Sequence, residues 1–148
     1  MRILVQRVES AEVKVNKKKI SNISKGLLIF FGVTHNDNKK DARFLANKVS
    51  KLRIFENKNK KMNFSIKDVN GDILVVSQFT LYGNSKKGNR PSFINSAPAN
   101  IAEPLYEYFI NLLKENNFNV KTGIFGENMD IKLINQGPVT ILLESHAG

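Results

Sequence analysis

The sequence predicts an α/β (α+β) domain, a strongly curved, barrel-like β-sheet covered by two helices, and three observations carry that prediction. The run Gly26-Leu27-Leu28-Ile29-Phe30-Phe31-Gly32-Val33 is apolar throughout and of strand length, as a buried central strand should be. Ala42, Leu45, Val49 and Leu52 then fall three, four and three residues apart, one apolar stripe on a helix. The segments also run in the order strands, helix, strands, helix, strands. No repeat, linker or low-complexity stretch divides the 148 residues, so the expectation is one domain over 1–148.

Residues 2–8 alternate in the manner of a strand, and Ala11 to Val15 reads as a second short strand before a polar turn at Lys17-Lys18-Lys19. Asn36 to Asn38 supply cap candidates for the first helix. Arg53-Ile54-Phe55 is extended and leads into a Lys/Asn-rich loop, after which Asn70-Gly71 is a hairpin-turn signal. Asp72 to Phe79 reads as a strand, and residues 83–97 as a polar loop. The second helix is expected near 99–116, with Ile101, Leu105, Tyr108 and Leu112 inward and Pro104 in a first turn that tolerates it. Residues 118–125, 131–135 and 139–144 close the chain as strands.

Composition removes several chemistries. The chain has no cysteine, hence no disulfide framework, thiolate nucleophile or Cys-based zinc site. Of its two histidines, His35 falls in a turn and His146 near the end; neither accompanies a Gly-x-Ser-x-Gly elbow, so a His-activated serine is not supported. Spacings for zinc, calcium or P-loop phosphate sites are missing, and no metal or cofactor is expected. The longest apolar run is too short for a bilayer, and the N-terminus turns polar too early for a secretory signal, so a cytoplasmic protein with no membrane association is expected. The formal net charge is +10, from 23 Lys+Arg against 13 Asp+Glu. That excess suits a polyanionic partner. The scatter of the lysines, beside abundant Asn and Ile, equally suits a base-composition bias.

Two short segments then stand out. Gly137-Pro138 puts two strand breakers inside an otherwise strand-like stretch, either a tight turn or a specially shaped backbone. Ser77-Gln78-Phe79-Thr80 ends an apolar strand, where hydroxyls, an amide and turning main-chain N–H groups gather; a plain strand end is the other reading. Arg7 sits inside a strand-like run, and a guanidinium there needs partners for its donors. Phe125 and Met129 read as ordinary core.

Taken together, Met1-Arg2-Ile3-Leu4-Val5-Gln6-Arg7-Val8, Ser77-Gln78-Phe79-Thr80-Leu81-Tyr82, Lys87-Gly88-Asn89-Arg90-Pro91-Ser92-Phe93, Thr122-Gly123-Ile124-Phe125-Gly126 and Asn135-Gln136-Gly137-Pro138-Val139-Thr140 resemble the D-aminoacyl-tRNA deacylase family over essentially the whole chain. The resemblance implies that family's fold and a homodimer that hydrolyses the ester between a D-amino acid and the 3′-terminal ribose of tRNA. It implies that Gly137-Pro138 is cis, reaches into the partner's pocket, and offers carbonyl oxygens to the substrate amino group. An L side chain would clash with that backbone, whereas glycyl-tRNA would pass. Arg7 and Gln78 would brace the Gly-Pro loop. Main-chain N–H groups around Phe79 and Thr80, in the segment begun by Ser77, would hold the oxyanion. Thr80 would position substrate, with the ribose 2′-OH assisting the water. Phe125 and Met129 would line the adenosine end, with Ala102 leaving room, and Lys86, Lys87 and Arg90 would meet phosphates. Two other readings stand beside this one: a non-catalytic RNA-binding module, and a deacylase whose trans Gly-Pro admits some L-substrates.

Overall fold

The computed structural model describes residues 1–146. Its elements in chain order are β1 (Arg2–Val15), β2 (Lys18–Ile23), β3 (Gly26–Gly32), α1 (Lys39–Lys51), β4 (Phe55–Glu56), β5 (Met62–Phe64), β6 (Asp72–Ser77), a 3₁₀ turn (Phe79–Tyr82), α2 (Ala99–Glu115), β7 (Val120–Thr122) and β8 (Asp130–Glu144). The expected mixed architecture is present, with its two helices. Among the described residues no helix is long and apolar enough to cross a membrane.

β1 organises the sheet. The expected pair of short strands is one strand of 14 residues. β3 and β2 pair antiparallel along one of its edges, Arg2 to Val8 with β3 and Ala11 to Val15 with β2. β8 runs antiparallel along the other edge from Arg2 to Lys14. Lys18 and Lys19, expected in the turn, belong to β2; the reversal itself is made by Asn16 and Lys17, both with positive φ. β6 and β7 extend the sheet in parallel from β3. The far end of the hairpin curls back, and Ser21 Oγ donates to the Thr122 carbonyl at 2.7 Å, tying β2 to β7. The result is a nearly closed barrel.

Each face of the sheet buries its own apolar cluster. Ile3, Val5, Leu27, Ile29, Phe31, Ile73 and Val75 face the helices, meeting Leu45 and Val49 of α1 and Phe109 and Leu113 of α2. Val8, Ala11, Val13, Ile23, Leu28, Leu74 and Val76 fill the barrel side, with Met129, Ile131 and Leu133 packed against them. The long strands sit between these clusters, so near-continuous apolar sequence was needed there.

α1 begins as its sequence directs. Asn38 caps it, its side chain accepting from the Lys40 amide while Asp41 Oδ2 accepts from the Asn38 amide. α2 departs from expectation. Its buried residues are Leu105, Tyr106, Phe109, Ile110 and Leu113, while Ile101, Tyr108 and Leu112 lie at the margin. Tyr108 turns toward α1, where Arg43 Nη1 donates to its hydroxyl at 2.8 Å; a phenol is better satisfied there than in the core. Pro104 is the sixth residue of α2, beyond the first turn, so the helix goes without the bond that its N–H would have made to Asn100.

Asn70 does adopt a left-handed conformation, φ 51°, but the turn makes no hairpin. It delivers the chain into β6, whose neighbours β3 and β7 are both parallel to it, so the strand before the turn cannot be its partner. Strand geometry ends at Ser77, short of the expected Phe79, and only Val120–Thr122 of the expected 118–125 strand is regular. Residues 131–135 and 139–144 belong to one strand, β8, interrupted by an excursion. Thr140 pairs with Gln6 and Asn135 with Val8, so five steps on β8 match two on β1.

Candidate active site

β3 and β6 run side by side to the same end of the sheet, where Phe31 pairs with Ser77 and the Gln78 amide donates to the Phe31 carbonyl at 2.8 Å. There the chain must leave the ladder, and it does so as a single 3₁₀ turn closed by Leu81 N–H to Gln78 C=O, 3.2 Å. The amides of Phe79 and Thr80 precede that first bond, so the turn gives them no main-chain acceptor. Both residues are exposed and line a cavity of about 500 Å³.

The cavity gathers most of the residues singled out from sequence. Ser77, Gln78, Phe79 and Thr80 form one wall; Ala102 from α2, and Phe125 and Met129 from the β7–β8 connection, form others. Phe125 and Met129 are thus half-buried wall residues rather than plain core. The Phe125 ring packs against Tyr106, centroids 5.6 Å apart, and Tyr106 donates its hydroxyl to the Val75 carbonyl at 3.0 Å. Burial pushes the Tyr106 phenol well above its ordinary range, against the opposing hydrogen bond to Thr122, so it stays neutral. Gln78 Nε2 donates to Thr80 Oγ1, which orients the hydroxyl within its own segment. Ser96 Oγ donates to the Phe79 carbonyl at 2.8 Å and fixes the turn from the other side.

Sequence reading missed several lining residues. Val33, Ala97 and Ala99 supply apolar floor, and Glu127 is the one carboxylate on the wall among the described residues. Their only sequence signal is closeness to motif segments.

Gly137 and Pro138 do not line the cavity of their own chain. They sit exposed at the tip of the β8 excursion, joined by a cis peptide, with Gly137 at φ 130°. Beneath them lies Arg7, only 4% exposed. Its Nε donates to the Gln136 carbonyl at 3.0 Å and its Nη1 to the Ile54 carbonyl at 2.7 Å, with Glu56 Oε1 at 3.6 Å from Nη2. The expected brace by Arg7 is therefore made one residue before the glycine. Within the chain the other brace is Asn135, not Gln78. Asn135 Oδ1 accepts from the Val139 amide at 2.8 Å, and Nδ2 donates to the Val139 carbonyl and to Thr140 Oγ1. A Cβ on Gly137 would lie 2.9 Å from Arg7 Nη2 and 2.9 Å from Val139 Cγ2. Glycine is thus demanded by its own chain's packing before any substrate arrives.

The face beside this tip is apolar. Leu142 of β8, Leu4 of β1, Phe30 of β3 and Val76 of β6 pair in a single row across the sheet. Leu142 is 51% exposed at its edge. Lys86, Lys87 and Arg90 stand apart from the cavity, on an exposed ribbon whose base is the reciprocal Asn84–Ser92 bridge.

Ligand-type side chains come together at Asp37, Asp41 and His146, whose donor atoms lie within 4.8 Å of one another. Asp37 Oδ1 is already engaged by the Met1 ammonium at 2.6 Å, and none of the three lines the cavity. The grouping is a polar network held to the Met1 ammonium, with His146 at its exposed rim.

Comparisons with known proteins agree with this geometry. Residues 4–144 match the family described as D-Tyr-tRNA(Tyr) deacylase. A D-aminoacyl-tRNA deacylase of Thermosipho africanus (strain TCF52B) is 52% identical over 145 residues, covering 98% of this chain and 97% of that one. One from Desulfatibacillum aliphaticivorans is 53% identical over 145 residues, with 98% and 99% covered. Among solved structures, one described as c-Myc DNA Unwinding Element Binding Protein superposes with a TM-score of 0.93 at 38% identity, over 99% of this chain and 100% of that one. Another, described as a probable eukaryotic D-amino acid tRNA deacylase, reaches 0.83 at 18% identity over 97% and 98%, a likeness of fold. The chain belongs to the D-Tyr-tRNA(Tyr) deacylase family.

Proposed function

We propose that this protein hydrolyses the ester joining a D-amino acid to the 3′-terminal ribose of tRNA, and that it does so as one deacylase domain in a cytoplasmic homodimer. The observation that carries the reading is a division of labour within one chain. Ser77-Gln78-Phe79-Thr80 borders the cavity with two amides that the 3₁₀ turn gives no main-chain acceptor, while Gly137-Pro138 stands outside it, exposed and rigidly braced. A backbone held so firmly yet facing away from its own cavity has a use if it enters a second copy's cavity. The apolar row Leu142–Leu4–Phe30 beside it offers a surface for that copy.

In this arrangement the carbonyls of Gly137 and Pro138 receive the substrate amino group, and an L side chain meets main chain. A D side chain points away, which leaves its identity unread, and glycine, having no side chain, also passes. The Phe79 and Thr80 amides hold the developing oxyanion; donors fixed before reaction need no reorganisation at the transition state. Thr80 Oγ1, already oriented by Gln78, positions the ester, and the ribose 2′-OH helps place the water. Ala102, Phe125 and Met129 take the terminal adenosine. Lys86, Lys87 and Arg90 meet phosphates, which positions the acceptor end without reading sequence.

The test compares release of amino acid from D-tyrosyl-, glycyl- and L-tyrosyl-tRNA by the purified protein. Hydrolysis of the first two and sparing of the third is the expected result, and equal rates on both tyrosyl esters would remove the chiral reading. A second reading, nucleic-acid binding without hydrolysis, draws on the +10 charge and on the DNA-binding name of the 38% identical structure. Tight binding with no release of amino acid from any ester would favour it.

A further inference from the structure

Between the cavity and the basic ribbon lies an apolar step that the deacylase chemistry leaves unused. Phe79 lines the cavity, yet its side chain is 58% exposed. Its ring meets Phe93 edge-on, centroids 5.1 Å apart and planes at 70°. Ile94 follows, 77% exposed. Together the three exposed side chains gather apolar surface at one place, and a contiguous exposed apolar patch marks an interaction site.

The step is held firmly. Phe93 packs over Gly83, where a Cβ would lie only 3.0 Å from its Cε1, so the ring needs glycine beneath it. His35 Nε2 donates to the Ile94 carbonyl at 2.6 Å, and Thr34 Oγ1 donates to the Asn95 carbonyl at 2.6 Å. On the far side, Asn84 and Ser92 exchange main-chain bonds of 2.8 and 2.7 Å and close the ribbon that carries Lys86, Lys87 and Arg90. Along the surface the sequence is therefore cavity, aromatic step, positive charge.

We infer that Phe93, with Ile94 and the outer face of Phe79, is a stacking platform for the unpaired bases that precede the terminal nucleotide of an RNA 3′ end. The inference rests on the deacylase reading for the direction of the strand. Single-stranded nucleic acid is held by two devices together, aromatic faces for bases and cations for the backbone. Both occur here, in the order a strand leaving the cavity would meet them. Stacking is indifferent to base identity, which suits an enzyme that must accept many tRNAs. It also separates affinity from chemistry: the platform grips the strand while the cavity handles only the last nucleotide.

The probe is an RNA hairpin with a single-stranded 3′ tail carrying 2-aminopurine next to its last nucleotide, whose fluorescence falls on stacking. Wild-type protein quenches it. Phe93→Leu keeps apolar bulk over Gly83 but has no π-face, and should bind roughly tenfold more weakly without quenching, whereas Phe93→Tyr should behave as wild type. In parallel, Phe93→Leu should raise KM for D-tyrosyl-tRNA with kcat little changed, and leave hydrolysis of D-tyrosyl-adenosine unaltered. No quenching by wild type, or equal affinity of wild type and Phe93→Leu, would overturn the inference. So would equal loss on the tRNA and adenosine esters, the mark of a purely structural residue. Conversion of Phe93→Leu to a monomer by sedimentation would also overturn it, assigning the patch to a second copy of the chain. Quenching by a protein that hydrolyses neither ester would leave the platform standing and remove the deacylase reading instead.

Discussion

At the scale of single residues, Gly137 carries two constraints at once. Its φ of 130° is disfavoured for an L side chain, and an added Cβ would press on Arg7 Nη2 and Val139 Cγ2, both at 2.9 Å. Gly137→Ala should therefore lower stability by about 1–2 kcal/mol and abolish deacylation, read by thermal denaturation and by D-tyrosyl-tRNA hydrolysis. A stable, fully active Gly137→Ala protein would contradict both constraints. Thr80 is expected to matter less. Its hydroxyl has Gln78 as its hydrogen-bond partner, and among the described residues no histidine or carboxylate is hydrogen-bonded to it to take its proton. Thr80→Ala should retain a rate within about tenfold of wild type, the loss of one positioning contact rather than of a nucleophile. Loss of all measurable hydrolysis would reinstate a covalent route.

At the scale of elements, the helix starts were written locally and the sheet edges were not. Asn38, Asp41 and the stripe Ala42, Leu45 and Val49 specify α1 within a dozen residues, and α1 forms there. Asp41 also gives this element a pH dependence. Burial works against its charge, but the Asn38 amide, the Ser145 hydroxyl and the nearby His146 and Met1 ammonium outweigh it, holding its pKa below the ordinary 3.8. A depressed folded pKa stabilises above the unfolded value and stops doing so as pH falls through the folded one. Thermal stability of the wild type should thus decline on acidification below about pH 4, and Asp41→Asn should flatten that limb. An unchanged acid limb in Asp41→Asn would place the effect elsewhere. The β8 excursion, by contrast, depends on Arg7, Ile54 and Asn135, which come from separate parts of the chain. Sequence marked Gly137-Pro138 and Arg7 as odd but could not supply the Asn135 clasp, because an asparagine beside a turn looks like any other. The α2 stripe was misread for a related reason. Periodicity locates an apolar arc, but the competing faces of α1 and the sheet decide its centre, and Tyr106, Phe109 and Leu113 win it. The cavity was legible as motifs and not as a volume: Glu127 and Ala97 reach it only through the closing of the sheet.

At the scale of the whole molecule, one chain presents a cavity and, apart from it, a braced Gly137-Pro138 tip, proposed above as the chiral filter, that does not line that cavity. Two-fold pairing would bring the two together, since an isologous interface gives each copy what it offers the other. The apolar row Leu142–Leu4–Phe30 and the exposed Gly137-Pro138 tip lie on neighbouring parts of the same sheet. This makes a direct prediction for mixed dimers. Let one protomer carry Ala102→Trp, which fills its cavity, and its partner carry Gly137→Ala, which spoils its filter. Each homodimer should be inactive on D-tyrosyl-tRNA. If the filter acts across the interface, the mixed dimer combines one open cavity with one intact filter and should recover about half the wild-type rate, one working site of two. A mixed dimer as inactive as its parents would contradict the shared site and return Gly137-Pro138 to a role within its own subunit.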